Sequence, residues 1–275
     1  MNVLKSLSSI IFDEGIINYV KRKKDIYNLQ NHQLLYPIRY NNQITKIYLQ
    51  EKFGYVDLYI FKFGIYEKYI IDDIRATLTH EKILLDIGGN IGQHSLLLAP
   101  YCKQIYAFEP IPAVYQSFEK SIHANNYKNI TLQNTAIGSK KEVKTFNFVS
   151  DNAGASSFSE VKGRETTSLQ VKIDTLKNVL PENITFDVVK MDVEGHEAVV
   201  ILGNKEIFIK NKPIFFMEFS PSSIEAEGTH DPKELVNFFF ENNYEIYSQN
   251  LNQSFYEDRP ELYQNDNWIL RPQKK

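Results

Sequence analysis

Short apolar runs recur along this chain at intervals that leave room for one helix between them: Ile83 to Ile87, Gln104 to Glu109, Ile130 to Ile137, Phe186 to Met191 and Pro213 to Phe219. Between them the apolar spacing becomes helical. Pro112 stands at a first helical turn, where its missing N–H costs nothing, and Val114, Phe118 and Ile122 follow at i, i+4 and i+8. Gly92 to Ala99 predicts a short helix stopped by Pro100, Glu67 to Leu78 another, and a third starts near Glu197. Asp231-Pro232-Lys233-Glu234 pairs an N-cap carboxylate with a glutamate three residues on, a capping box ahead of Leu235 to Phe240. Tyr244 to Ser248 and Trp268 to Leu270 add strands, and Lys141 to Val149 with Ser168 to Ile173 predict a hairpin-like excursion. Buried strands alternating with helices predict an α/β fold around a parallel sheet.

The first part of the chain reads differently. From about residue 34 to 63 it predicts short strands, Gln43 to Gln50 and Tyr55 to Phe63, broken by Asn41-Asn42 and Gly54. We take residues 1–79 as a helix and short-strand extension and 80–275 as the main domain. Residues 1–24 carry apolar positions at near-helical spacing and end in Lys21-Arg22-Lys23-Lys24, which allows peripheral membrane contact. Glu14 intrudes on that apolar face and favours a helix packed on its own domain. Asp13 and Glu14 also interrupt any signal-peptide core.

Composition narrows the function classes. With 43% hydrophobic and 24% charged residues the chain can bury a core, which excludes a disordered tail. Lys plus Arg number 31 and Asp plus Glu 34, a net charge of −3, so no global basic field exists to hold nucleic acid, and none is expected as a partner. The single cysteine, Cys102, forms no internal disulfide and fits a reducing, cytoplasmic setting. No apolar run approaches the roughly 18 to 20 residues of a membrane-spanning helix.

Candidate chemistry gathers at predicted strand ends. Asp86-Ile87-Gly88-Gly89-Asn90-Ile91-Gly92 places a carboxylate at the end of a buried strand and glycines in the turn that follows, where backbone can approach a ligand. Asn90 stands where a dinucleotide motif would need its second glycine. Glu109 ends the next strand, and adjacent strand ends share the ligand crevice of a doubly wound sheet, so its carboxylate can accept both hydroxyls of a ribose. A tight structural turn and a solvated strand-end acid are the plain alternatives.

Together with Asn134-Thr135-Ala136-Ile137-Gly138, the loop Asn152 to Ser157 and Lys190-Met191-Asp192-Val193-Glu194-Gly195-His196-Glu197, these segments resemble the FkbM-type methyltransferases over about residues 80 to 220. The resemblance implies a Rossmann-like class I methyltransferase fold with a seven-stranded, mostly parallel sheet. It implies S-adenosylmethionine (SAM) as donor, and an oxygen acceptor on a sugar, glycan or other small molecule. By position it puts Asp86, Gly88, Asn90 and Gly92 around the methionine part of SAM, Glu109 on the ribose, and Asn134 and Ala136 near the adenine.

The reacting centre is expected at Asp192, Glu194 and His196, with Asp192 also beside the cofactor. Any of the three can take the acceptor's proton, and histidine is favoured by its ordinary pKa near 6.5. The plain alternative is that Glu194 and Glu197 merely load the first turn of the helix with favourable negative charge. Glu218, ending the strand Pro213 to Phe219, can join Asp192 in holding Mg²⁺ or Mn²⁺, but two oxygens do not make a site and spacing shows no third, so no metal ligands are assigned. His230 is a weaker base, and His94 and His123 read as helix-surface residues. The Asn152 to Ser157 loop suits a lid or an ordinary turn. Competing functions are a nicotinamide-dependent oxidoreductase and a non-catalytic nucleoside-binding module. RNA methylation ranks lower, because no Asn/Asp-Pro-Pro-aromatic motif follows a strand.

Overall fold

The structure is a computed structural model that describes residues 34–50, 54–149, 158 and 166–273. The expected helix within residues 1–24 and the Asn152 to Ser157 loop lie outside them. Strands β1 (Leu34–Tyr40) and β2 (Gln43–Leu49) form a hairpin, and both turn residues, Asn41 and Asn42, have positive φ. That backbone matches the strand twist and suits asparagine. Helices α1 (Tyr55–Phe63) and α2 (Lys68–Thr77) follow.

Alternation then sets in: β3 (Ile83–Ile87), α3 (Gln93–Leu98), β4 (Gln104–Phe108), α4 (Pro112–Asn125) and β5 (Ile130–Gln133). A side sheet of β6 (Ala136–Ile137), β7 (Glu142–Val149) and β8 (Thr166–Asp174) interrupts it. After α5 (Leu176–Val179) come β9 (Val188–Met191), α6 (Glu197–Gly203), α7 (Lys205–Asn211) and β10 (Ile214–Phe219). The last described elements are α8 (Pro221–Glu227), α9 (Pro232–Glu241), β11 (Tyr244–Ser248), β12 (Gln253–Phe255) and β13 (Asp266–Pro272).

The main sheet runs β12-β11-β13-β10-β9-β3-β4-β5. Pairs from β10 through β5 are parallel, and β13 runs antiparallel to both its neighbours, β10 and β11, so β11 shares the direction of the parallel strands. The sheet of the α/β expectation is therefore present, with an eighth, three-residue edge strand beyond the seven. Chain direction through the sheet reverses between β3 and β9, and their carboxyl ends flank the crevice where ligands of such sheets bind.

Alternate residues of each central strand feed the two faces. Leu84, Val188 and Phe216 join one core with α1 to α4 and the β1–β2 hairpin. Leu85, Val189 and Phe215 join the other with α6, α7 and α9. The described part of the 1–79 extension thus shares its core with the sheet. Asp231 caps α9 through its bond from the Lys233 amide, with Glu234 completing the expected box.

Three expectations change. Tyr55 to Phe63 is a helix, not a strand: Ile60 and Phe61 share its buried face with Asp57, whose carboxylate accepts the Gln50 amide, and Gly64 (φ +93) ends it. Ile130 to Ile137 is two strands in two sheets, broken where Asn134 turns its side chain to the Glu109 and Pro110 carbonyls. His94 is buried, whereas His123 is exposed as expected.

Candidate active site

The glycine turn after β3 is fixed by what surrounds it. Gly88 has φ +84, and a Cβ there would lie 1.9 Å from the Asp192 carbonyl oxygen, so only glycine lets the ends of β3 and β9 come this close. Both Gly88 and Gly89 amides donate to the Phe108 carbonyl. Gly92, also at positive φ, has the Phe118 ring where a Cβ would stand.

Beneath the turn lies a buried ion cluster. The Lys190 ammonium donates to the Gly88 carbonyl at 2.8 Å and stands 3.7 Å from Asp86 and 3.6 Å from Asp192. Burial alone would lower the Lys190 pKa, but Asp192, Asp86, Glu67 and Glu218 outweigh it and leave it raised. Asp86 has no exposed surface; one of its oxygens takes the Ser95 hydroxyl at 2.5 Å.

Above the turn a hollow opens between the ends of β3, β4 and β9. Gly88, Asn90, Glu109, Ala136, Asp192 and Glu194 are in its wall. Its far side is an apolar slot that includes Ile111, Val114 and Ile137. The Glu109 oxygens accept the Ile111 amide at 2.8 Å and the Asn90 amide at 2.9 Å, and burial pushes its carboxyl up to about 7 despite both bonds.

The structure sorts the expected site residues. Gly88, Asn90, Glu109, Ala136, Asp192, Glu194 and His196 meet in this wall. Asp86, Gly92 and Asn134 do not: Asp86 lies under the turn facing Lys190, Gly92 makes room for Phe118, and Asn134 braces the Glu109–Pro110 backbone. His196 is held by Glu227, Nδ1 to Oε1 at 2.6 Å, against the Phe158 ring 4.7 Å away. Its Nε2 is buried without a hydrogen-bond partner. His230 instead bonds Glu234 beside the α9 capping box.

On the other side of Asp192 the carboxylates crowd. Asp192, Glu194 and Glu218 offer oxygens that all lie within 4.8 Å of one another, so Glu194 is the third oxygen that spacing did not reveal. Such a set suits a hard divalent ion, or any cationic group. The charge of Asp192, with burial, pushes Glu218 up to about 10; burial first, then Asp192, pushes Glu194 up to about 9. Glu197 is fully buried, rises to about 7 mainly through desolvation, and leaves one oxygen unpartnered.

Sequence reasoning missed Lys190, Glu67, Glu227 and the buried state of His94, whose pKa burial drives down to about 3. A lysine inside an otherwise apolar strand was the one signal available. Glu67 and Glu227 come from elements whose approach to the site is a matter of tertiary packing.

The family model for the FkbM methyltransferase domain matches residues 86–246, more than half of the chain. The chain belongs to the FkbM methyltransferase family. It is 25% identical over 150 residues to Methyltransferase 1 of Beauveria bassiana, a match covering 46% of this chain and 60% of that protein. Among solved structures it is similar to the FkbM methyltransferase of Methylobacillus flagellatus: 12% identity, TM-score 0.43, covering 94% of this chain and 60% of that one. A similar likeness links it to an rRNA methylase of Streptococcus thermophilus: 11% identity, TM-score 0.43, covering 74% and 94% of the two chains. For this FkbM-family chain the cofactor is SAM. No described helix is long and apolar enough to cross a membrane.

Proposed function

We propose that this FkbM-family protein transfers the methyl group of SAM to a hydroxyl oxygen of a sugar, glycan or related small molecule. The observation that carries the reading is the shared hollow beside the Gly88 turn in which Glu109 and Asp192 stand at the ends of β4 and β9, the strands on either side of β3. Its residues fit the cofactor. Glu109 keeps free lone pairs for ribose hydroxyls, the slot at Ile111, Val114 and Ala136 suits a flat base, and the excess of carboxylates over Lys190 suits a sulfonium. Bound SAM supplies an electrophilic methyl group on positively charged sulfur, which leaves as a neutral thioether.

The chain's own residues orient the acceptor and take its proton. As the oxygen–carbon bond forms and the carbon–sulfur bond breaks, the hydroxyl proton must go to a base within hydrogen-bond reach. Asp192 is the base the geometry supports best, because it stands between the cofactor hollow and the acidic cluster. Glu194 and Glu218, pushed up to about 9 and about 10, keep protons at neutral pH and are better donors than acceptors. His196, favoured by sequence alone, has Nδ1 held by Glu227 and the Phe158 ring beside it, which leaves its unpartnered Nε2 in the same wall as the second candidate.

Calorimetry with SAM and its demethylated product, then a labelled-methyl screen over sugar hydroxyls, tests the reading. Micromolar SAM binding that Glu109→Ala weakens at least tenfold is expected. Wild-type affinity in Glu109→Ala refutes the cofactor assignment, and saturable NAD binding without SAM binding favours an oxidoreductase. SAM binding with no hydroxyl methylated leaves a nucleoside-binding module.

A further inference from the structure

His196 is buried with one ring nitrogen occupied and the other idle. Nδ1 meets Glu227 Oε1 at 2.6 Å, and the Lys144 ammonium stands 3.4 Å from the same oxygen and 4.9 Å from the centre of the Phe158 ring. Burial alone would raise the Glu227 carboxyl, but the bond to His196 and the charges of His196 and Lys144 outweigh it and leave it lowered. An ionised carboxylate can only accept, so the hydrogen on Nδ1 points at Glu227. Nε2 has no acceptor for a hydrogen of its own, and burying a second N–H unpaired is costly. The surroundings therefore favour the neutral ring with a bare lone pair on Nε2. That lone pair is itself an unmet demand for a donor.

The idle nitrogen lies beside the base slot. A Cβ built on Gly138, the residue that follows Ile137, would stand 3.5 Å from Nε2. The wall that holds Ile111, Val114 and Ala136 also holds Phe158 and His196. Adenine carries an exocyclic amine, a donor that calls for an acceptor in such a wall. Asn134, expected near the adenine, donates instead to the Glu109 and Pro110 carbonyls, and the Thr135 hydroxyl donates to those of Ala136 and Lys172. Among the described side chains next to the slot, His196 Nε2 is the buried acceptor with nothing to accept.

Resting on the SAM reading above, we infer that His196 Nε2 reads the exocyclic amine of the cofactor's adenine, and that Glu227 is the positioning residue that sets the ring's tautomer. A purine with an oxo group in place of the amine would turn a lone pair toward a lone pair, which a site built for a donor rejects. Lys144 steadies Glu227 from β7, so the side sheet takes part in the choice of nucleoside. Asp192 then keeps the acceptor's proton, and His196 contributes to binding.

The test is calorimetry at pH 8 with S-adenosylhomocysteine and S-inosylhomocysteine, which present an amine and an oxo group at that position. The wild-type protein should bind the adenosyl compound at least tenfold more tightly. His196→Phe keeps a ring against Phe158 without the nitrogen, and Glu227→Gln can turn either an amide hydrogen or its oxygen to Nδ1. Each should bring the two affinities within threefold of one another. Loss of packing alone would weaken both ligands alike and leave the ratio, and melting temperatures show that the variants are folded. A wild-type preference below tenfold overturns the inference whatever the variants do. A wild-type ratio in either folded variant overturns it too, and if His196→Phe also loses methyl transfer the ring is the base. Failure of the wild-type protein to bind S-adenosylhomocysteine would instead strike the SAM reading.

Discussion

Replacing Lys190 by methionine removes the one cation beneath the glycine turn and keeps most of its volume. Three contacts go with it, and they are not equal. Asp192 is partly exposed, so its pair is worth at most about 1 kcal/mol. The bond to the Gly88 carbonyl, charge-assisted and buried, is worth about 1.5 to 3 kcal/mol. Asp86 decides the total, because it is fully buried and its inner oxygen has no hydrogen bond, only the ammonium 3.7 Å away. Stranding one member of a buried pair costs about 3 to 5 kcal/mol, and overlap among the three makes that the expected total.

The assay is urea unfolding, read at the midpoint with an unchanged slope. Asp86→Asn in the Lys190→Met background should recover part of the loss, with a coupling of about 1 to 3 kcal/mol between the two sites. SAM affinity should fall about tenfold, or 1.4 kcal/mol, as the turn loosens. A loss below about 1 kcal/mol, or no recovery in the double variant, would refute the view that Lys190 ties the turn to Asp86.

Gly88→Ala should weaken SAM binding at least tenfold and destabilise by about 2 to 5 kcal/mol, since the new Cβ meets backbone and the φ is wrong for alanine; wild-type calorimetry would contradict it. Asp192→Asn should lower kcat by about 10²- to 10⁴-fold, and His196→Ala by less than tenfold; equal losses would return the base to His196. Burial holds Glu67, Glu109 and Glu197 up to about 7, so between their ordinary 4.5 and about 7 the folded state binds more protons than the unfolded. Stability of the SAM-free protein should therefore fall as pH rises through that window, while the melting shift given by SAM grows. Melting curves from pH 5 to 8 that show a flat profile and a constant SAM shift would count against a cationic ligand beside these acids.

Much of this architecture is legible in sequence because local rules and the fold agree. The strands β3, β4, β9 and β10 are short apolar runs, the α9 capping box is local, and Gly88 precedes a helix as a strand-to-helix glycine does. Errors arose where local pattern underdetermines the answer. Tyr55 to Phe63 is rich in aromatics that suit a strand, but a buried Asp57 that binds the Gln50 amide belongs to a helix packed on the core. Asp86 was expected in the cofactor hollow, yet Lys190, paired with it in register on the neighbouring strand, draws it underneath. His196 does line the hollow, but only the fold shows that Glu227, 31 residues away, holds its Nδ1.

The acidic excess around Asp192 is hard to justify as structure. Glu67, Glu194, Glu197 and Glu218 are each raised chiefly by burial or by the charge of Asp192, and Lys190 is the one lysine that offsets them. Every such shift means that the ionised form is less stable in the folded chain than in water, so the arrangement opposes folding at neutral pH. A cation lodged beside these groups reverses that sign, because each carboxylate it neutralises returns toward its ordinary pKa. The ligand that best relieves the site is one that is positive while bound and neutral when it leaves. A sulfonium that becomes a thioether meets that condition, and the repulsion it had masked then returns. Methyl transfer and release of the spent donor would be coupled through the same carboxylates, so neutralising Glu218 as glutamine should tighten binding of the demethylated product relative to SAM. Calorimetry on Glu218→Gln with both ligands measures that ratio directly, and a ratio equal to wild type would break the link between the acidic cluster and donor charge.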